Sequence, residues 1–488
     1  MRREHPPFGC ASIDSPRRVN PGRWGSLPPV VRLPFPLAVE IAVARAAGRL
    51  SRLAGAGGGT TVPGKLLWKL DPRAVDRLAA RLPLGSALVS ATNGKTTTTA
   101  MAAQIVGRRV RLAHNSSGAN LVSGVASSLL EAGDAELGLF EVDEAALPEV
   151  AARVQPRALC LANLFRDQLD RYGELEHVAE RWRAAVRGLA PGAGLVVNAD
   201  DPQVGDLARE RPGATTFGVD DPAQARPALQ HAADSKYCVR CGTPYDYAAA
   251  YVGHLGDYRC RSCGHARPQL VVSARDVRLR GLDGAAFRLV TPEGERRVEL
   301  AVPGLYNVYN ALAAASLGRA LGASLPEIVA GLERFSAAFG RFERIRIVEK
   351  SLLMLLIKNP AGANEAVRTL LAGGAPRLAL VALNDAIADG RDVSWIWDVD
   401  FEPLLERVER LVASGERASE LALRFKYGGF AEEAIEVVPE LAAALDRALE
   451  LTPSGGELVA LPTYTAMLAL RRVVGRRGYV KPYWERAA

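Results

Sequence analysis

The sequence predicts an α/β protein: a parallel sheet carrying a phosphate loop, followed by a second, smaller α/β unit. Three observations predict it. The apolar run Ala87-Leu-Val89 leads through the small-residue turn Ser90-Ala-Thr-Asn-Gly-Lys-Thr-Thr-Thr-Thr99 into Thr97–Val106, whose spacing suits a helix, so the order is strand, phosphate loop, helix. Further apolar runs ending in polar clusters follow at Leu137–Phe140, Ala158–Ala162 and Gly194–Val197, separated by helical spacing. The same alternation resumes in Leu352–Ile357, Leu378–Leu383, Arg410–Ala413 and Glu457–Leu461.

At 488 residues the chain is long enough for about two to four domains, each with its own core. Hydrophobic residues make up 48% and charged residues 24%, which is the balance of a globular protein, and no apolar run approaches the roughly 18 residues that span a bilayer. The net charge of +7 permits an acidic partner or substrate, but Arg and Glu alternate and no long basic block occurs, so nucleic acid is not the expected partner. Of six cysteines, four form two C-x-x-C pairs while Cys10 and Cys160 stand alone. That usage suits a reducing compartment and a metal site, hence the cytoplasm, rather than a disulfide framework.

Residues 1–36, rich in Pro and Arg and without apolar periodicity, read as a disordered extension or as an artefact of an upstream start codon. Leu37–Leu53 reads as an amphipathic helix that packs on the following domain, and the Gly-rich stretch 55–64 links it to the sheet. In the phosphate-loop segment, Thr92, Asn93, Gly94, Lys95, Thr96 and Thr97 are the candidate nucleotide ligands. Backbone N–H groups and the positive helix end converge on one spot, Lys95 supplies a point charge for the β/γ-phosphates, and Thr96 offers a hydroxyl to Mg²⁺. Val89 stands where the full G-x-x-x-x-G-K-[ST] pattern has its first Gly, and a Gly/Thr-rich turn with a solvated lysine is the competing reading. Glu141, at the end of Leu137–Phe140, lies on the phosphate-loop side of a parallel sheet and reaches the Mg²⁺, unless Glu141-Val-Asp-Glu144 only caps the next helix.

Cys238-Val-Arg-Cys241 is followed after eighteen residues by Cys260-Arg-Ser-Cys263, each pair closing on a Gly. Two such knuckles present four thiolates to one Zn²⁺ at about 2.3 Å. Four thiolates leave no open position for water, so the expected role is structural; a redox role and a nucleic-acid-binding ribbon, with Tyr245, Tyr247 and Tyr251 nearby, are the alternatives.

Taken together, Thr92-Asn-Gly-Lys-Thr96, the N-x-x-x-D-Q-x-D-x-x-G run from Asn163 to Gly173, Asn198-Ala-Asp-Asp201 and Asn307-x-x-Asn-Ala-Leu-Ala-Ala314 resemble the central ATP-binding domain of the Mur ligases. Lys358-Asn-Pro-Ala-Gly362, the string Ala388-Asp-Gly-Arg-Asp392-Val-Ser-Trp-Ile-Trp-Asp398 and Pro462-Thr-Tyr-Thr465 are similar to the MurT family, the Mur-ligase-like subunits of lipid II isoglutaminyl synthase. The resemblance implies an ATP-binding domain over 37–345 with a zinc-ribbon insertion at 236–266, and a C-terminal α/β domain over 346–488 that contacts a glutaminase. It implies that Asn307 and Arg341 contact ATP and that Lys95, Thr96 and Glu141 hold ATP·Mg²⁺. Gln168 stands where amino-acid-adding ligases have a metal-binding His, and no lysine between Lys95 and Lys236 supplies their carbamylated lysine.

The implied activity is ATP-dependent amidation of the α-carboxyl of D-Glu in lipid II through an acyl phosphate, at the inner face of a bacterial membrane. Ammonia would come from a GatD-type glutaminase in a heterodimer, since no Cys-His-carboxylate set is evident in this chain. Asp392 is implied to orient the histidine of that glutaminase, from a loop expected at a sheet edge; the bland alternative is that Asp389, Asp392 and Asp398 cap turns. An amino-acid ligase of the Mur or folylpolyglutamate type and a non-catalytic zinc-ribbon protein are the other functional classes.

Overall fold

The computed structural model describes residues 35–53, 61–115, 119–167, 174–230, 233–336, 342–374 and 377–480. The extension expected over 1–36 thus lies almost wholly outside the described residues, as do Arg341 and Gln168. The first helix, Phe35–Leu53, puts Leu37, Ile41 and Ala44 on one face, and all three are buried against Leu67, Leu78 and Leu88. Among the described residues no helix is long and apolar enough to cross a membrane.

The strands are β1 (Ser86–Ser90), β2 (Leu112–His114), β3 (Leu137–Glu141), β4 (Ala158–Leu161), β5 (Gly194–Asn198), β6 (Thr215–Val219), β7 (Asp246–Val252), β8 (Leu255–Arg259), β9 (Val272–Leu279), β10 (Ala285–Thr291) and β11 (Gly294–Leu300). A second group follows: β12 (Glu343–Ile347), β13 (Lys350–Met354), β14 (Leu378–Ala382), β15 (Arg410–Ser414), β16 (Ile435–Val437) and β17 (Glu457–Pro462).

Nine strands make the first sheet, in the order β11-β10-β9-β6-β5-β4-β1-β3-β2. Pairing is parallel from β2 to β9 and antiparallel in the β9–β11 meander at one edge. Side-chain alternation sends Ala87 and Val89 of β1 into one core, with Cys160, Val196 and Leu312, and Leu88 into the other, with Phe140, Leu159 and Trp182. Both faces are covered by helices, which is why these strands read as unbroken apolar runs. Strand order reverses at β1, between β3 and β4, and the phosphate loop leaves the sheet at that switch point.

Between β6 and β9 the chain leaves the sheet and forms the two-stranded β7–β8 ribbon. Six strands make the other sheet, in the order β12-β13-β17-β14-β15-β16, parallel except for the β12–β13 hairpin. The turn at residues 385–392 therefore follows β14, which lies between β17 and β15 in the sheet's interior. The sequence expectation of an edge position is corrected: Leu378–Leu383 is buried throughout because strands flank it on both sides.

Candidate active site

The loop Ala91–Gly94 joins β1 to the helix Lys95–Val106. Val89, at the place of the missing first glycine, is a fully buried residue inside β1, paired with Glu141 and Cys160, so the strand continues where other phosphate loops begin to turn. Gly94 caps the helix at φ +84°, and a Cβ there would lie 2.0 Å from Asn310 Oδ1, so only glycine fits. Asn163 holds the loop from below: its Oδ1 accepts from Asn93 N at 2.8 Å and its Nδ2 donates to Asn93 O at 2.9 Å. Thr92 Oγ1 accepts from Phe165 N at 3.0 Å.

Lys95 is buried, and its Nζ donates to Glu144 Oε2 at 2.7 Å. Burial lowers its pKa, but the carboxylates of Glu144, Asp143 and Glu141 outweigh that and hold it above the usual lysine value. Glu144 behaves conversely: burial raises it, and Lys95 and Lys358 bring it below the ordinary carboxylate range. Glu141 ends β3 beside the loop, its backbone clasped by both atoms of the Asn115 amide (2.8 and 2.9 Å) and its Oε1 at 3.5 Å from Asn120 Nδ2.

The second sheet contributes too. Lys358 Nζ donates to Thr92 O at 2.9 Å and to Asp167 Oδ2 at 2.5 Å. Burial raises the pKa of Asp167 and Lys358 only partly offsets it. Asn359 caps the helix Pro360–Ala372 through Gly362 N (2.9 Å) while exchanging side-chain hydrogen bonds with Asn93 at 3.1 and 3.2 Å. Four charges, Lys95, Glu144, Lys358 and Asp167, thus surround the loop in two ion pairs.

Of these groups, Asn93, Gly94, Asn163 and Lys358 line a cleft with about 1020 Å³ of empty volume, part of it open to solvent. Its lining is mixed, with polar groups from Asn93, Gly94, Thr97 and Lys358 and apolar surface from Tyr306, Phe335, Phe342 and Leu355. Asn307 also lines it, donating to Pro303 O at 2.7 Å and accepting from Asn310 Nδ2 at 3.0 Å. The cleft has the apolar lining and few polar groups of a small-molecule site. Of the candidate nucleotide ligands, Asn93, Gly94, Thr97 and Asn307 line this cleft, while Thr92, Lys95, Thr96 and Glu141 do not and Arg341 lies outside the described residues.

Away from the cleft, Cys238, Cys241, Cys260 and Cys263 bring their sulfurs within 4.8 Å of one another. Cys238–Cys263 and Cys241–Cys260 are both 3.5 Å apart, too far for a disulfide near 2.0 Å and close to the ~3.8 Å that sulfurs adopt around one tetrahedral ion. Each knuckle closes alike: Gly242 N donates to Cys238 O and Gly264 N to Cys260 O, both glycines at φ +73°. Hydrogen bonding with Thr243 lowers the Cys241 thiol, whereas at Cys263 a backbone hydrogen bond with His265 is outweighed by burial and the neighbouring sulfurs, which push the thiol up.

The two acids of the 388–392 turn have different surroundings. Asp389 is buried and accepts from Thr465 N (2.8 Å) and Oγ1 (2.5 Å). Asp392 is exposed and accepts from Ser394 N at 2.9 Å, which keeps its carboxyl below the usual range. In the same segment Ile387 and Trp397 are 70% and 51% exposed, and the Trp397 ring lies tilted against that of Tyr427, 74% exposed, at 6.2 Å. Asp398 pairs with Arg166 at 3.3 Å.

A doubly covered parallel sheet, a phosphate loop at its switch point and a second sheet reaching over that loop define the Mur-ligase class of α/β enzymes. The Mur ligase middle domain model matches residues 89–260 and the MurT ligase C-terminal model matches residues 356–467. The chain is 34% identical, over 88% of its length and 95% of the relative's, to the MurT subunit of lipid II isoglutaminyl synthase (glutamine-hydrolyzing) from Streptococcus pneumoniae. It is 30% identical to the Staphylococcus aureus subunit of the same name, over 89% of this chain and 97% of that one. Among solved structures, a pseudomurein peptide ligase type C from Methanothermus fervidus superposes with a TM-score of 0.65 at 21% identity, covering 82% of this chain and 80% of that one. The chain belongs to the MurT family, the Mur-ligase-like subunits of lipid II isoglutaminyl synthase, and is a ligase.

Sequence reasoning passed over Glu144, Asn163, Lys358 and Asn359 as site residues. All four lie inside motif strings that were conspicuous for other reasons, so proximity to those motifs was the available signal. What no spacing rule supplies is which of Glu141 and Glu144 turns toward Lys95.

Proposed function

We propose that the chain amidates the α-carboxyl of D-Glu in lipid II, using ATP and ammonia released by a GatD-type glutaminase, as part of peptidoglycan synthesis. The observation that carries this reading is the phosphate loop lining a cleft, with Lys95 of the following helix and Lys358 of the second α/β unit beside it. Residues 37–345 then form the ATP-binding domain with the 236–266 insertion, and residues 346–488 the domain that meets the glutaminase.

In this reading the γ-phosphoryl group passes to the substrate carboxylate, giving ADP and an acyl phosphate; ammonia adds to the carbonyl carbon and inorganic phosphate leaves, giving the amide. Lys95 exchanges Glu144 for the β/γ-phosphates, and the loop and helix N–H groups take the remaining oxygens. Lys358 brings a second positive charge over the loop when the two units are closed. Asn307 and Arg341 contact the nucleotide. Thr96 and Glu141 fit a Mg²⁺ site, a hydroxyl and a buried carboxylate beside the loop, and the ion would neutralise phosphate charge there. The four cysteines fit a structural Zn²⁺, which would fix the knuckle end of the ribbon.

The chain has no glutaminase nucleophile among its described residues that matches this chemistry. Cys160 is buried in β4, where desolvation drives its thiol far above the ordinary value, and the other four thiols face one another. A partner must therefore supply ammonia from glutamine. The exposed Asp392 with Ile387, Trp397 and Tyr427 beside it supports docking of that partner at this turn. There the carboxylate would orient a histidine by binding its far ring nitrogen. The work takes place in the bacterial cytoplasm at the inner face of the membrane, where the substrate's headgroup lies.

ADP release measured with lipid II tests the reading. Ammonium should support it with the chain alone, and glutamine only when the glutaminase is added. Stimulation by a free amino acid in place of ammonium would identify an amino-acid ligase instead, and no nucleotide turnover under any condition would leave a binding protein.

A further inference from the structure

The chain's positive charge is unevenly placed. Residues 35–82 hold eight basic and three acidic side chains, whereas residues 83–488 hold 47 and 49. The three acids are already matched within the chain: Arg77 meets both Asp71 and, at 3.9 Å, Glu40, and Arg153 meets Asp76 at 3.5 Å. Lys65, Lys69, Arg73 and Arg81 are exposed, and none of them forms an ion pair among the described residues. Unmatched cations gathered in one short stretch of an otherwise slightly acidic chain point to an acidic partner surface.

The same stretch exposes apolar side chains. The first helix, Phe35–Leu53, turns Leu37, Ile41 and Ala44 inward, and its opposite face, Val39, Ala42, Val43 and Ala46, is exposed, Val39 at 46% and Val43 at 47%. The helix Val62–Leu70 packs beside it, so closely that a Cβ on Gly48 would meet the Pro63 ring at 2.5 Å. It buries Pro63, Gly64 and Leu67 and exposes Val62, Lys65 and Lys69 on the opposite side, with Leu70 following at 52%. Leu37, Ile41, Ala44 and Leu67 all enter one core, with Leu88 and Phe140 of the nine-stranded sheet, so both helices turn their outer faces away from the same sheet face.

Apolar side chains set among unpaired cations match a bilayer with acidic headgroups: the phosphates meet the lysines, and the acyl boundary takes the valines and Leu70. A nucleic acid offers the phosphates without an apolar counterpart, and Trp68 is half-buried with Arg153 over its ring at 4.5 Å rather than open for base stacking. We propose that the outer faces of these two helices form a membrane-contact surface that seats the chain on acidic phospholipid through Lys65, Lys69 and the Val39/Val43 stripe. Small side chains make the seating shallow, so it depends on charge. The inference concerns lipid binding and stands or falls apart from the amidation reading.

Co-sedimentation of the full chain with vesicles tests it, using phosphatidylcholine alone and phosphatidylcholine mixed with phosphatidylglycerol. Wild type should partition about tenfold or more in favour of the acidic vesicles, and high salt should release it. Lys65→Glu with Lys69→Glu should lower that partition about tenfold or more, whereas Arg472→Glu with Arg476→Glu, the same charge change on exposed arginines of the second α/β unit, should leave it within about twofold. Val39→Ser with Val43→Ser should weaken it about threefold or more at constant charge. Equal partition of wild type onto both vesicles overturns the proposal, whether or not any variant folds. So does equal loss in the two arginine or lysine pairs, which would reduce the effect to net charge, and so does full binding by the folded valine variant. Duplex DNA held more tightly than acidic vesicles at matched phosphate concentration, and lost in the lysine variant, would assign the face to nucleic acid and overturn the membrane role.

Discussion

The phosphate loop and the 388–392 turn both follow the carboxyl end of an interior parallel strand, β1 in one sheet and β14 in the other, yet they treat their charges in opposite ways. Around the loop two ion pairs form within the chain: Lys95 with Glu144, Lys358 with Asp167. In the turn, Asp389 is consumed by Thr465, while three residues on Asp392 is exposed and held by the side chain and backbone of Ser394 in its own turn. The first pattern stores charge in pairs that a polyanionic ligand can exchange. The second leaves a carboxylate exposed, with its hydrogen bonds drawn from its own turn. A carboxylate's role is thus read from what it lacks as much as from what it touches.

The comparison can be broken at the loop first. Lys95→Ala should reduce nucleotide turnover by at least a thousandfold. Glu144 loses its nearest partner, so the melting temperature should fall as well, and circular dichroism recorded well below the transition should still show the native fold. Unchanged amidation would sink the assignment of the loop.

At the turn, Asp392→Asn should cut glutamine hydrolysis by the complex by two orders of magnitude or more, leave nucleotide affinity intact, and yield partly to added ammonium. Asp389→Asn should do the reverse, costing about 1–3 kcal/mol of stability through Thr465 while hydrolysis survives. Swapped phenotypes would mean that the buried acid, not the exposed one, is the functional carboxylate.

A smaller effect is expected at the cysteine cluster. Protein purified without chelator should contain about one equivalent of zinc, and Cys238→Ser with Cys263→Ser should abolish that content and lower the melting temperature by several degrees. Less than half an equivalent in wild type would dismiss the site.

The smallest concerns Asp206, a carboxylate paired as thoroughly as those of the loop, with Arg183 at 2.9 Å, His265 at 3.3 Å and Arg240. Burial raises its pKa, but His265, Arg183 and Arg209 outweigh this and bring it to about 2 from 3.8. The folded value is depressed, so its contribution is present above about pH 4 and lost as pH falls toward 2. Denaturant unfolding of Asp206→Asn should show a deficit on the order of 1–2 kcal/mol at pH 7 that shrinks across that window; a deficit independent of pH would mean packing, not charge, is what the residue provides.

Much of the frame was legible because its signals are local. Apolar runs ending in polar clusters gave the interior strands, and the strand-to-glycine-to-lysine order placed the loop beside β3 and Glu141. The C-x-x-C spacing likewise foretold the four-sulfur cluster, though not its ion. What stayed hidden depends on contacts across long separations. Lys358 meets Thr92 over 266 residues, and Arg226 meets Glu365 over 139. The β9–β11 meander also went unread: its strands mix charged and apolar residues because β11 is an edge whose outer residues face solvent. The edge position expected for the 388–392 turn failed for a related reason, since strand order within a sheet is not encoded in any one strand.

The β7–β8 ribbon bears on how the chain could be shortened. One end carries the cysteine knuckles, and the other, through Val252 and Leu255, is part of the cleft wall. At the turn between them Gly253, at φ +56°, lies against the Phe165 ring, and His254 stacks on that ring at 4.7 Å while reaching Asp201 at 3.3 Å. Cutting the chain at the base of the insertion would therefore unroof the nucleotide cleft along with the metal knuckles. A minimal enzyme has to keep the hairpin tip.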